Sequence, residues 1–124
     1  DCNLDGLVAL VVVNRGEPAQ LWRNVSADAG NWIAVRLTQP APNRDAIGAW
    51  IEVRTDRGMQ RREITSGGGH AGGQSGWWHF GLGTAGAAEA RVIWPDGTAG
   101  DWQGVGANAF FDLARGALPV RWGR

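Results

Sequence analysis

"IGAWIEVRTDRGMQRREIT", residues Ile47 to Thr65, decides the fold class. Ile47, Ala49, Ile51 and Val53 fall on one side of an extended chain, and Trp50, Glu52 and Arg54 fall on the other. This period of two is that of a strand with one face on a core. "DRG" (Asp56–Gly58) reads as a tight turn, and "MQRREIT" returns as a polar-faced partner strand. Upstream, "WIAVRL" (Trp32–Leu37) alternates likewise, with Ile33, Val35 and Leu37 on one face. Downstream come "WWHF", "ARVIW", the turn "PDG" (Pro95–Gly97), "DWQGV" and "AFFDL". Helical periodicity is sustained nowhere, and Gly104–Phe110 is the one stretch with any helical reading. Strand signals this closely spaced predict an all-β fold, an antiparallel β-sandwich or a barrel-like module.

The bulk properties narrow the function. At 124 residues the chain fits one domain, and such a domain buries roughly 65–70% of its unfolded surface without needing disulfides. Twelve basic residues, all Arg, balance twelve acidic ones. Neutral charge argues against a nucleic-acid partner, which calls for a basic face. A single cysteine, Cys2, rules out an internal disulfide and a Cys-based zinc site. No run of 18 apolar residues provides a membrane span. The chain opens without Met, inside what reads as a motif, so it is expected to be a piece of something longer. Eight Trp among 124 residues suit a core, an interface or a ligand platform alike.

The N-terminal quarter reads differently. "LVALVVVN" (Leu7–Asn14) is nearly all apolar and β-branched, as in a strand buried on both faces or one that has lost its partner. With "NRGEPAQ" as turn and "LWRNV" as return, residues 1–25 read as a β-hairpin. Residues 26–30 are a linker, and 114–124 a C-terminal tail. Trp22, Trp32 and Trp102 are expected to pack the hairpin against the sandwich.

Five phrases stand together in order: "NWIAVRL", "NRDAIGAWIEV", "HFGLG", "RVIWPDGT" and "NAFFDL". In this order and spacing, residues 31–113 resemble the ASPIC/UnbV domain of cartilage acidic protein-like proteins. Residues 1–25 resemble the end of an FG-GAP/VCBS repeat, so the hairpin would be left over from a β-propeller blade. The resemblance implies a secreted or periplasmic parent. It brings no catalytic residues with it.

Asp1-x-Asn3-x-Asp5-Gly6 matches the opening of a calcium loop, in which alternate oxygens converge and the carbonyl of Leu7 adds a ligand. It is not an EF-hand, because Val12 stands where a bidentate Glu is needed. The blade-type loop that the resemblance implies expects Asp at the ninth position, where this chain has Ala9. Four oxygens are fewer than the six to eight calcium takes. The competing reading is an Asx-type turn whose side chains bond their own backbone.

"SGGGHAGGQSGWWHFGLG" (Ser66–Gly83) holds eight glycines and both histidines. Gly67-x-Gly69-x-x-Gly72 satisfies a dinucleotide fingerprint by letter, but the residues that follow cannot open the helix it requires. Glu89 lies 17 positions past Gly72, in an unrelated turn. Ser75 and His79, four apart on a strand, would sit about 13 Å apart, beyond hydrogen-bond reach. His70 and His79 lack a metal-ligand spacing. His79 reads as a partly buried ring bonded to a backbone carbonyl. Trp77 and Trp78 must point to opposite faces, one into the core. A ligand at this stretch would meet Trp77, Trp78, His70 and Gln74.

Two functional classes follow. The first is a non-catalytic recognition module for protein–protein or matrix contact. The second is a carbohydrate-binding module that stacks sugars on exposed Trp. A weaker third, drawn from the resemblance, is an accessory subunit in a biosynthetic pathway. The hairpin is expected to pack on the module or to self-associate.

Overall fold

The computed structural model describes residues 1–70 and 72–123. Ten strands form, and every described element is β: β1 Leu10–Val12, β2 Gln20–Trp22, β3 Asn31–Thr38, β4 Trp50–Thr55, β5 Gly58–Glu63, β6 Trp78–Gly83, β7 Ala87–Ile93, β8 Gln103–Gly106, β9 Ala109–Ala114 and β10 Val120–Trp122. Gly104–Phe110, the stretch with a helical reading, spans the end of β8, the crossing to the other sheet and the start of β9. Two four-stranded sheets, ordered β10-β9-β3-β6 and β5-β4-β7-β8, stack face to face, and β1-β2 stands apart. Both sheets keep open edges, so the architecture is a sandwich and not a closed barrel.

Alternation builds the core. Ile33, Val35 and Leu37 of β3, Phe80 and Leu82 of β6 and Phe111 and Leu113 of β9 point inward from one sheet. Ile51 and Val53 of β4, Ala90 and Val92 of β7 and Val105 of β8 meet them from the other. Ile33, Ile51, Val35 and Val53 are sealed almost completely. Burying each such aliphatic side chain contributes about 1.5–3 kcal/mol.

Three sequence expectations need correction. The first sheet is mixed, because β3 pairs antiparallel with β6 and parallel with β9. Parallel neighbours need a long crossover, and here the chain builds the whole second sheet between β3 and β9. Ile47 is exposed and β4 starts only at Trp50. The Asn43 side chain explains this: it accepts from the Ile47 N–H and donates to the Ile47 carbonyl, holding that residue in a turn. Ala46 takes the buried place instead. The apolar run Leu7–Val13 yields a strand of three residues only, with Leu10 60% and Val11 59% exposed. It has the exposure of a strand without a covering layer.

Sheet edges differ in chemistry. β5 is an edge strand exposed throughout, with Arg61, Arg62 and Glu63 at its end. Charged side chains on an edge discourage pairing with another chain. Edge strand β8 reads Gln-Gly-Val-Gly and carries no charge.

Candidate functional site

The outer face of the first sheet is aromatic. Trp32 of β3 and Phe110 of β9 point away from the core, as their neighbours Ile33 and Phe111 require. With Ala34 they form a second buried cluster, against which Trp77 and Trp122 pack. Phe110 sits 4.9 Å from Trp32, 5.0 Å from Trp77 and 5.6 Å from Trp122, each edge to face. Such pairs contribute about 0.5–1.5 kcal/mol each beyond their buried area. Arg36 borders the cluster. It holds Asp112 across β3–β9 with two bonds of 2.7 and 3.0 Å, and its guanidinium lies 4.6 Å over Trp77.

The N-terminal loop docks on this face. His79, pointing outward from β6, stacks on Trp32 at 5.5 Å and donates its Nε2–H to the Gly6 carbonyl at 2.8 Å. This is the partly buried, carbonyl-bonded ring that the sequence suggested. Burial holds the imidazole below its ordinary value of 6.5, and the Gly6 bond opposes this only in part. Gly6 has φ +86, and a Cβ there would lie 1.8 Å from Trp32 Nε1, so only glycine can approach this closely. Leu4 joins Trp32, Phe110 and Trp122 around a shallow groove beside the loop.

Within the loop, the Asp1 carboxylate accepts the N–H groups of Asp5 (3.2 Å) and Gly6 (2.8 Å), and Asp5 accepts from Leu7 at 2.9 Å. Asn3 Nδ2 donates to Asp5 at 2.6 Å, and Arg23 approaches Asp5 at 3.4 Å. The Asn3 bond, the Leu7 N–H and Arg23 hold the Asp5 carboxyl below its usual range. The side chains thus serve the loop's own backbone. Among the described residues, no group of three or more His, Cys, Asp and Glu is placed to hold a metal ion.

The glycine stretch brings Gln74 close to both tryptophans, since its amide donates to the Trp77 carbonyl at 3.5 Å and it shares a small cavity with Trp78, but the two rings face opposite ways. Trp78 is 7% exposed and belongs to the core, while Trp77 lies on the aromatic face. His70 and Gln74 are both exposed, and Gly67 bridges Gly73 in the segment that carries them. A Cβ on Gly73 would meet the Ser66 carbonyl at 2.4 Å, so this glycine serves backbone packing.

The outer face of the second sheet carries Arg, Trp and Glu in layers. Arg61 lies 4.2 Å over Trp50; Arg54 and Arg91 lie 4.1 and 4.5 Å over Trp102. Beneath them Glu52, 4% exposed, binds Arg91 at 2.6 Å and Arg61 at 3.5 Å. Trp102 therefore belongs to this ladder and does not hold the N-terminal hairpin; Trp22 is 60% exposed and its indole N–H bonds Gln20 within the hairpin. Only Trp32 of the three anchors meets the N-terminal segment, through Gly6.

Sequence reasoning missed two asparagines that align the sheets' ends. Asn108, at φ 57, donates its backbone N–H to the Trp32 carbonyl at 2.7 Å, and its side chain donates to Asn31 at 2.8 Å. Asn31 in turn donates to the Ala85 carbonyl at 3.0 Å. The available signal was the residue type: an Asn between two strand phrases, in "GANAF", tolerates the positive φ that a sharp turn needs.

This is an all-β sandwich module with arginine-capped tryptophans on both outer faces and an apolar hairpin attached. The chain belongs to the ASPIC and UnbV family, whose model matches residues 39–118. β3 lies just ahead of that stretch, yet it is the strand that joins β6 to β9. No curated protein matches the chain at a significant level.

Proposed function

We propose that this chain is a non-catalytic recognition module that contacts protein through its N-terminal hairpin and the adjoining aromatic face. The observation that carries the reading is where apolar surface is exposed. Val8, Leu10, Val11, Val13, Leu21 and Trp22 are each more than half exposed and sit together on one short hairpin. Leu10 opposite Trp22 and Val11 opposite Leu21 leave apolar side chains on both faces of the hairpin, and exposed apolar surface of this kind marks a contact surface. A sugar platform asks instead for open tryptophan faces. Here guanidinium groups lie over Trp50, Trp77 and Trp102, and the Trp32 ring is stacked on His79 and edge to face with Phe110. The family resemblance supports an extracellular or periplasmic parent in which a propeller repeat precedes the module. A weak calcium site at Asp1, Asn3, Asp5 and Leu7 is a separate proposal. These four donors need others from elsewhere, and no part of the recognition role depends on the ion.

Sedimentation velocity on this chain tests the reading, because an uncovered hairpin covers itself at high concentration. Reversible self-association is expected, abolished by the pair Leu10→Glu and Leu21→Glu while the sandwich keeps its melting temperature. A chain that stays monomeric at every concentration, and whose tryptophan emission responds saturably to a glycan, would overturn it.

A further inference from the structure

Between β7 with the start of edge strand β8 on one sheet and the end of β9 on the other, the two sheets part around a cleft of about 300 Å³, which the segment 114–119 leading into edge strand β10 also lines. Its size falls at the lower end of ligand pockets. Val92, Trp94, Leu113 and Leu118 give it apolar walls. Val92, Trp94 and Leu113 are core residues at 5–6% exposure, so the cleft reaches the inter-sheet core, whereas Leu118 is 71% exposed at its mouth.

The polar groups at the cleft are unspent. The side chains of Asp101 and Gln103 and the indole N–H of Trp94 make no hydrogen bond within the described residues. No fully buried side-chain donor or acceptor there lacks a partner, so each of these groups opens to the cleft or to water. Arg91, also on the lining, is committed to Glu52 at 2.6 Å. The uncompensated charge at the cleft is therefore the Asp101 carboxylate. Donor, donor-acceptor and anion line one cleft, and Gln103 opens β8, an edge strand.

We infer that this cleft takes an extended peptide, which pairs with the free edge of β8, seats one aliphatic side chain among Val92, Trp94, Leu113 and Leu118, and sets a basic residue against Asp101. A peptide bond offers both a carbonyl and an N–H, the complement of Trp94 Nε1–H and the Gln103 amide. Strand addition at an open edge supplies further backbone bonds, and the side-chain pocket supplies selectivity. The contrast between edges favours this occupant. β5 is lined with charge, while β8 carries two glycines and none, which leaves its backbone approachable. The site lies apart from the hairpin and the aromatic face and does not depend on them.

Selection from a display library of random decapeptides on the immobilised chain, followed by amide chemical-shift mapping with the selected peptide, tests the inference. Enriched peptides should carry an aliphatic residue near a Lys or Arg, and shifts should centre on residues 90–94, 100–106 and 113–119. Leu118→Arg, at an exposed position, and Asp101→Ala should each weaken binding about tenfold or more without moving the melting temperature. The inference falls if no peptide is enriched, if neither variant weakens binding, or if a glycan panel perturbs these amides and peptides do not. Selected peptides that map to Trp22 or Trp122 would also overturn it, while leaving the recognition role of the hairpin and aromatic face standing.

Discussion

Glu52→Gln tests whether the arginine–tryptophan ladder is a sealed structure or a solvated surface. The Glu52 side chain is 5% exposed and sits between Arg91, 31% exposed, and Arg61, 47% exposed. Glutamine keeps the shape and removes the charge, so two guanidinium groups lose their counter-ion. Breaking a fully buried pair costs about 3–5 kcal/mol. Both arginines keep access to water, which roughly halves that figure, to about 2 kcal/mol. For a domain of this size one kilocalorie corresponds to about 3–4 °C in melting temperature, so a fall of about 6–8 °C is expected. Urea unfolding of Glu52→Gln, Arg91→Gln and the double variant isolates the pair, with a coupling energy of about 1–2 kcal/mol expected. High salt should leave most of the difference in place, since a covered pair is screened less than an exposed one. If Glu52→Gln unfolds within about 0.5 kcal/mol of the parent, or if the coupling vanishes in salt, the carboxylate is in water and the ladder does not seal it.

Further outcomes follow from the same contacts. Gly6→Ala cannot keep its place 1.8 Å from Trp32; the loop should leave the face, shifting tryptophan emission to the red and costing about 1–3 kcal/mol with an unchanged circular dichroism spectrum. His79 titration, followed by NMR of its ring protons, should give a value below 6.5 in the parent and one closer to 6.5 in Gly6→Ala, as burial is relieved. Because the folded value is the lower one, the neutral ring's contribution is complete above about pH 6.5 and is lost as the pH falls toward the folded value. A melting temperature that does not drop in this window would contradict the buried assignment. Trp78→Ala should cost about 3–5 kcal/mol and Trp77→Ala clearly less, read by urea unfolding, because adjacent rings face core and surface.

What the sequence made legible was direction. Alternation placed Ile33, Val35, Ile51 and Val53 in one core and set Trp77 against Trp78, since a pleated backbone leaves each side chain only one face. Strand order was not legible. Nothing in the local pattern of "AFFDL" says that β9 runs parallel to β3, because that pairing is chosen by the path of the chain between them. Nor was the start of β4, where the Asn43 side chain, four residues upstream, captures the backbone of Ile47. The candidate site shows the same division. His79 could be read as a ring bonded to a carbonyl, but its acceptor, Gly6, lies 73 positions away. Glu52 is the sharpest case. Its position in the alternation turns it outward, and outward ordinarily means wet. Here Arg61 of the neighbouring edge strand, Arg91 of the other neighbour and the rings of Trp50 and Trp102 close over it, so an outward residue is 4% exposed. Local periodicity fixes which way a side chain points. What covers it is decided by residues on other strands, and the contact surfaces we propose are places where that covering is incomplete: the hairpin, whose Leu10, Val11, Leu21 and Trp22 are largely exposed, and the cleft beside β8, where Asp101, Gln103 and the Trp94 indole make no hydrogen bond among the described residues.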